Sequence, residues 1–256
     1  MPSAPRYDAT FWRRVLGRAS ESRLMGTLER LVENQEQKVT LPLTDNLAEH
    51  DALESMLEES KPHGTWHPRI AKLDYLLRAP WRYPPLPWGS RFGGRHEPSL
   101  FYGALNKTAL FAEAAYYRFV FLDGMETPFR DRVISQFTVF RATYQTERGH
   151  DLSQPPFARH ENTLRNRSRY TPCQALGTVL RERGVEAIAY LSARTRERAF
   201  NVALFSPAAL RSRRHRNARQ GICELQLDKV SFRLGRELHE LPREQFLVDG
   251  AIPRPA

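Results

Sequence analysis

Apolar residues in the first quarter of the chain recur at the spacing of helix faces. Residues 8–36 carry this pattern, with Leu24, Leu28 and Leu31 in its second half. Residues 47–57 repeat it with acidic residues on the opposite face, and a short polar–apolar alternation at 38–41 predicts an extended piece between the two. We therefore predict a mostly helical N-terminal extension over residues 1–65, followed by the main domain over residues 66–256.

The clearest helix of the main domain is predicted over residues 108–119. Thr108 is a suitable N-cap, and strong helix formers follow it. The predicted buried face consists of Leu110, Ala114, Tyr117 and Phe121. Glu113 falls on the same face, and a buried carboxylate without a partner is costly. Glu113 is therefore either salt-bridged to an arginine at the edge of the core or part of a functional site.

The second half of the chain combines another helix with several strands. Thr171 as N-cap, Pro172 at the first position and Gly184 as the stop predict that helix. Strands are predicted over residues 133–144, 187–191, 201–205, 222–227 and 230–234. Residues 145–170 are polar and contain proline, which predicts a long surface loop. Because helices and strands mix without a regular βαβ alternation, the predicted fold class is α+β.

Composition restricts the environment of the protein. The chain has 256 residues, of which 41% are hydrophobic and 27% charged, as in soluble globular proteins. No apolar run approaches the ~20 residues of a membrane helix, and the N-terminus does not resemble a signal peptide. Cys173 and Cys223 are far apart, and the eight histidines do not pair at metal-ligand spacing. We expect a cytoplasmic protein without a membrane segment or a metal site.

The net charge of +10 has two interpretations. A basic protein can bind nucleic acid, an acidic protein or a phosphate-bearing small molecule. Alternatively, because nearly all of the basic residues are arginines, the charge can reflect codon composition. The densest cluster, within residues 211–219, contains no aromatic side chains for base stacking. Direct nucleic-acid binding is therefore disfavoured, and a solvated loop or an acidic partner is favoured.

Residues 79–100 differ from the rest of the chain in their content of proline, glycine, arginine and aromatic residues. Such a loop exposes backbone N–H groups and guanidinium groups together, which suits phosphate binding. Familiar catalytic motifs such as GxGxxG, GxxxxGK[ST], GxSxG and HExxH do not occur in the chain. A conventional dehydrogenase, kinase or hydrolase is therefore disfavoured.

Four segments resemble the RES family, which is named for an arginine, a glutamate and a serine. They are Trp81-Arg82-Tyr83, Arg91-Phe92-Gly93-Gly94-Arg95, the stretch from Leu100 to Gly103 continued by Thr108 to Glu113, and Tyr190-Leu191-Ser192-Ala193-Arg194 followed by Asn201 to Phe205. The order of the segments is that of the family. The lead-in before residue 65 resembles the longer RES proteins, so the resemblance covers most of the chain.

The resemblance implies an ADP-ribosyltransferase-like RES fold for residues 66–256. It implies a catalytic role for Glu113 and Ser192, and for one of Arg91 and Arg95. These two arginines stay open alternatives, because His96-Glu97-Pro98 departs from the family pattern after Arg95. The implied NAD⁺-binding residues are Arg82, Tyr83, Tyr102, Thr171 and Gln174.

The activity implied by the resemblance is NAD⁺ degradation by a toxin of a toxin–antitoxin pair. The nicotinamide–ribose bond is cleaved, and NAD⁺ is a substrate rather than a resident cofactor. The acceptor is inorganic phosphate as co-substrate, or water, with phosphate ranked slightly higher. Alternatives are mono-ADP-ribosylation of a protein and a basic, ribonuclease-type toxin. The implied partner is an Xre-type antitoxin, and a homo-oligomer stays open.

Overall fold

An eight-stranded mixed sheet with helices packed against it forms the computed structural model. The model describes residues 6–33, 48–49, 52–53, 56, 69–82, 85–127 and 131–254. The helices are α1 (Ala9–Leu16), α2 (Tyr75–Arg82), α3 (Lys107–Asp123), α4 (Glu161–Leu164) and α5 (Thr171–Glu182). The strands are β1 (Ser22–Glu33), β2 (Phe101–Ala104), β3 (Val133–Asp151), β4 (Ala187–Leu191), β5 (Phe200–Leu204), β6 (Arg216–Leu225), β7 (Lys229–Leu234) and β8 (Glu237–Pro242). The predicted α+β class is confirmed.

The strand order in the sheet is β1-β2-β5-β4-β3-β6-β7-β8. Strand β1 also pairs with β3 along most of its length, so that β1, β2, β5, β4 and β3 close into a ring. Strand β3 belongs to two parts of the sheet, because its first half pairs with β6 and its last residues pair in parallel with β4. The remaining described pairings are antiparallel. The ring places β4 and β5 side by side, next to β2.

The N-terminal prediction is wrong beyond Leu16. Residues 22–33 form β1 and pair with β3, with Leu28 opposite Ala142. The predicted helix over residues 8–36 is thus limited to α1, whose Trp12 donates its indole N–H to the carbonyl of Pro172 at 2.7 Å. In residues 47–57 the few described positions are helical. The predicted extended piece at 38–41 lies outside the described residues.

Helix α3 begins earlier than predicted and buries a different face. Asn106, rather than Thr108, is the N-cap, because its side chain accepts the N–H of Ala109 at 2.9 Å. Tyr117 and Phe121, predicted to be buried, are 43% and 60% exposed. The buried positions are Ala109, Leu110, Phe111, Ala112, Ala115, Tyr116, Phe119 and Leu122. Because apolar residues surround this helix, the sequence spacing does not define a single inward face.

The predicted long loop over residues 145–170 is also wrong. Strand β3 continues to Asp151, and α4 lies within the remaining segment. Helix α5 begins at Thr171 as predicted, but its N-cap position is Tyr170 and no side-chain cap bond is present. The helix ends just before Gly184, as predicted, and Gly184 has the positive φ, +68°, that is typical of a glycine beyond a helix C-terminus. Strand β8 was not predicted.

Three hydrophobic clusters hold these elements together. The first packs α3 against β3, β6 and β7, the second packs α1 and α5 against β4 and β5, and the third lies among β1, β2, β3, β5 and α2. Helix α3 and the end of β4 meet between the first two clusters. In the part of the chain that is described, no helix has the length and apolar character needed to cross a membrane.

Candidate active site

Glu113 lies near the middle of α3, half-buried, and faces the end of β4. Its Oε1 accepts two hydrogen bonds, one from Ser192 Oγ at 2.7 Å and one from Asn201 Nδ2 at 2.9 Å. Among the described residues, Glu113 forms no ion pair, and no donor reaches its Oε2. Its partners are therefore neutral donors rather than the arginine that a purely structural role predicts. One oxygen of the carboxylate is held, and the other is free to act.

Ser192 follows the last residue of β4 and is completely buried. Its Oγ accepts the backbone N–H of Arg194 at 3.0 Å, while its own hydroxyl proton points to Glu113. Within the described chain, no histidine or lysine is hydrogen-bonded to this hydroxyl. Ser192 is thus a donor that orients one oxygen of the Glu113 carboxylate.

The two candidate arginines occupy different environments. Arg91 is 7% exposed, and its guanidinium donates to the carbonyls of Leu164 at 3.2 Å and Asn166 at 2.9 Å. Its guanidinium carbon lies 4.5 Å from the ring centre of Tyr170, and its Nη2 is buried without a hydrogen-bond partner. Arg95 is exposed. The structure therefore brings Arg91, and not Arg95, into the interior near Glu113.

The charge on Arg91 is secured by its surroundings. Burial by itself lowers the pKa of Arg91, but Tyr170, Cys173 and Glu113 together raise it above its ordinary value. The guanidinium is therefore a permanent cation, and its Nη2 is unused among the described residues. Such a group suits an anionic part of a ligand, since arginine forks bind phosphate oxygens well.

Tyr102 and Gln174 both hold the loop that carries Arg91. The hydroxyl of Tyr102 is 2.9 Å from Ser90 Oγ and accepts the N–H of Phe92 at 3.1 Å. Burial raises the pKa of Tyr102 to about 12, so that the phenol stays neutral. The side-chain amide of Gln174 donates to the carbonyls of Trp88 at 2.9 Å and Ser90 at 3.1 Å.

The remaining predicted residues are not brought to Glu113 by described contacts. Thr171 is exposed at the start of α5, and its hydroxyl forms no hydrogen bond within the described chain. Arg82 ends α2, but its side chain lies outside the described structure, as does all of Tyr83.

A family model and a solved structure match this chain. The family model of the RES domain matches residues 67–228, which is more than half of the chain and includes Arg91, Glu113 and Ser192. The chain belongs to the RES family. The fold is similar to a chain in the crystal structure of the M. tuberculosis MbcT-MbcA toxin-antitoxin complex, with 11% identity, a TM-score of 0.44, and coverage of 93% of this chain and 94% of that chain. None of the curated proteins matches the sequence significantly.

The candidate site also contains residues that the sequence analysis did not select. Asn201 is 3% exposed in β5 and supplies the second donor to Glu113. A polar residue inside a strand of otherwise apolar residues was the signal for it, because buried amides require partners. Tyr170 and Arg194 are also buried beside the site, and no local pattern distinguishes them from core residues.

Tyrosines surround the RES site on several sides. Tyr116 and Tyr190 are buried, and Tyr117 lies in the same turn of α3. Burial raises the pKa of Tyr190 well above its ordinary value, and the charge of Glu113 raises it further. Burial likewise raises the pKa of Tyr116, although Arg194 opposes this effect. These phenols are therefore neutral, and their rings provide flat apolar surface next to the carboxylate.

Two described cavities lie beside the N-terminal half of α3. They measure about 450 and 290 Å³, and Lys107 lines both of them. Glu113, Ser192 and Arg91 line neither cavity. The arrangement of donors, rather than cavity size, therefore identifies the candidate site.

Proposed function

We propose that this RES protein degrades NAD⁺ by cleaving the bond between nicotinamide and ribose, as the toxin of a toxin–antitoxin pair. The observation that carries the proposal is the carboxylate of Glu113, whose Oε1 is held by Ser192 and Asn201 while Oε2 has no described donor. Family membership supports the substrate, since the resemblance to RES proteins implies NAD⁺.

The chemistry suits a fixed carboxylate. When the C1′–N1 bond breaks, its electron pair leaves with nicotinamide and positive charge develops on the ribose. A carboxylate beside that ribose stabilises the transition state more than the ground state, because the charge is present only during the reaction. We assign this role to Oε2 of Glu113, which also accepts a ribose hydroxyl. Ser192 and Asn201 keep the carboxylate in place, so that it does not reorganise during the step.

Arg91 is the proposed anchor for the diphosphate of NAD⁺. Its Nη2 has no hydrogen-bond partner among the described residues, and its permanent charge complements the phosphate oxygens. The resemblance implies a second arginine, Arg82, with Tyr83 next to it. The rings of the tyrosines around Glu113 offer stacking surfaces for the nicotinamide or adenine ring.

The reaction requires an acceptor that bonds to C1′ of the ribose after nicotinamide has left. An oxygen of inorganic phosphate bonds to C1′ and yields a phosphorylated ADP-ribose, or water bonds there and releases a proton. We rank phosphate slightly above water. As with other RES toxins, the proposed partner is an antitoxin of the Xre type.

The test is nicotinamide release from NAD⁺, followed by chromatography with and without phosphate. In Glu113→Gln the amide keeps the size of the side chain and an acceptor for Ser192 but removes the charge. We expect release to fall about a hundredfold or more, which is the usual effect of removing one group that stabilises a transition-state charge. Release that depends on phosphate identifies the phosphorylase.

Arg91→Met and Arg95→Met form a matched pair in the same assay. A charge-assisted hydrogen bond contributes roughly 1.5–3 kcal/mol, so we expect Arg91→Met to raise KM for NAD⁺ about tenfold or more. Arg95→Met should leave KM unchanged, because Arg95 is exposed. No release by the folded wild-type protein, free of any antitoxin, would rule out the proposed activity.

A further inference from the structure

Arg194 is a buried cation that pairs with no carboxylate of the described residues. Its side chain is 1% exposed, and within the described residues it forms no ion pair. Its Nη1 donates to the carbonyl of Arg167 at 2.9 Å, its Nη2 to the hydroxyl of Tyr170 at 2.6 Å, and its guanidinium carbon lies 3.4 Å from the ring centre of Tyr116. Its Nε is buried without a partner. Burying a charge on these terms is costly, which indicates a role beyond filling space.

The contacts of Arg194 join the two elements that carry the reacting groups. Tyr116 is three residues after Glu113 on α3, so both side chains lie on adjacent turns of one helix face. The backbone N–H of Arg194 donates to Ser192 Oγ at 3.0 Å. The guanidinium therefore ties the turn that contains Ser192 to the helix that contains Glu113.

This connection determines how the Ser192 hydroxyl is oriented. The N–H of Arg194 occupies an acceptor site on Oγ, which leaves the hydroxyl proton for Glu113 Oε1 at 2.7 Å. The position of that N–H depends on where the backbone of residue 194 is held. Three further described bonds reach carbonyls of this turn, from Gln245 Nε2 to Arg194 at 3.2 Å, from Arg167 Nε to Ala193 at 3.4 Å and from Arg165 Nε to Ser192 at 3.1 Å. Among the described contacts of the turn, the Arg194 guanidinium supplies the one to the ring of Tyr116 on α3.

We propose that Arg194 is a positioning residue, which sets the hydrogen bond between Ser192 and Glu113 without touching the substrate. The inference rests on the proposed NAD⁺ cleavage for its kinetic consequence. Loss of the guanidinium removes the contact between this turn and Tyr116 of α3, so that Ser192 shifts relative to Glu113 and the carboxylate is held less firmly. The effect belongs to kcat rather than to KM, because the interaction is needed in the transition state.

A double-mutant cycle tests the inference. We expect Arg194→Met to lower kcat by roughly tenfold to a hundredfold, as is typical for groups that orient a site residue, with a smaller change in KM. In a Ser192→Ala background the same change should cost less than about threefold, because residues that act through one another are not additive. Equal losses in both backgrounds would show that Arg194 does not act through Ser192 and would overturn the inference.

Arg243→Met is the matched control. Arg243 also places its guanidinium over an aromatic ring of α3, 5.5 Å from the centre of Phe119, but its other contact is an ion pair with Asp123. The Arg243→Met variant should leave kcat for NAD⁺ cleavage unchanged. If Arg194→Met does not fold, Arg194→Lys replaces it, since lysine keeps the charge but lacks the planar fork that lies on the ring of Tyr116 while it bonds Arg167 and Tyr170. We expect the same non-additive loss, and wild-type kcat in Arg194→Lys would contradict the proposal.

A crystal structure of Arg194→Met separates this inference from the proposed activity. We expect the distance from Ser192 Oγ to Glu113 Oε1 to exceed about 3.5 Å, the limit of a hydrogen bond, while Arg243→Met keeps the distance of the wild type. An unchanged distance would overturn the positioning role. A wild-type protein that releases no nicotinamide would instead overturn the proposed function, and the structural comparison would still decide the role of Arg194.

Discussion

At the scale of single residues, the candidate site consists of one carboxylate and the neutral groups that hold it. Ser192, which directly follows β4, and Asn201, within β5, donate to the same oxygen of Glu113. Neutral donors orient a carboxylate without cancelling its charge, whereas an arginine partner would neutralise much of the field that the reaction needs. This distinction explains why the alternative of a salt-bridged Glu113 does not describe the site.

Substitutions of Asn201 test this interpretation. Asn201→Leu removes one donor, and we expect kcat for NAD⁺ cleavage to fall about tenfold, in line with the usual worth of a single hydrogen bond. Asn201→Asp should lower kcat further at neutral pH, because two carboxylates in contact must share a proton. Steady-state kinetics at pH 7 measures both variants.

Asn217→Asp serves as the control for the added charge, since Asn217 is exposed at the start of β6. It should behave like the wild type. Equal kcat values for Asn201→Leu and Asn201→Asp would show that the charge of Glu113 is not what Asn201 protects.

At the scale of elements, the position of Arg91 depends on how closely its loop packs on α5. Gly177 lies in that helix, and a Cβ at this position would be 1.9 Å from the carbonyl oxygen of Phe92. A residue larger than glycine therefore pushes the loop and the helix apart. The glycine permits a contact between helix and loop that brings Arg91 towards the interior.

Gly177→Ala should accordingly affect both stability and substrate binding. We expect a loss of about 1–3 kcal/mol in the free energy of unfolding, the usual cost of overpacking. KM for NAD⁺ should also rise, because a displaced Phe92 moves the adjacent Arg91, the proposed anchor for the diphosphate. Denaturant unfolding and steady-state kinetics measure the two effects.

Gly124→Ala provides the comparison, because a Cβ there meets its nearest described atom at an ordinary 3.4 Å. This variant should keep the KM of the wild type and most of its stability. A Gly177→Ala protein with unchanged stability would mean that the loop and α5 are free to separate.

Strand β1 shows why element predictions failed where they did. Leu24, Leu28 and Leu31 fit the spacing of a helix, but Leu24, Leu28 and Val32 fit the alternation of a strand equally well. Pairing with β3, over a register from Ser22 to Glu33, decides between them. Such pairing is a long-range interaction that a local pattern does not contain.

At the scale of the whole molecule, buried histidines couple stability to pH. Burial lowers the pKa of His150, which is 4% exposed and packs on Phe157. His160 has a lowered pKa for the same reason, with Arg159 adding to the effect. In the unfolded chain these imidazoles bind protons near their ordinary pKa of about 6.5, whereas the folded protein binds them only at lower pH.

The free energy of unfolding should therefore fall as the pH decreases below about 6.5, since the unfolded state binds more protons there. His150→Gln should reduce this pH dependence between pH 7.5 and 5.5, as measured by denaturant unfolding at each pH. His96→Gln, which changes an exposed histidine, should leave it unaltered. The same slope in His150→Gln and the wild type would assign the effect to other groups.

By itself the sequence determined the α+β class, the helix at α5, several strands and the family, because these depend on local spacing and on short motifs. It also selected Glu113, Ser192 and the arginine–glycine loop. Only the tertiary structure buried Arg91 and left Arg95 exposed, placed residues 22–33 in the sheet, and brought Asn201 to Glu113. Burial and hydrogen-bond partners are set when β4, β5 and α3 pack together. These elements are far apart in the chain, so a local sequence pattern cannot predict which of their side chains come into contact.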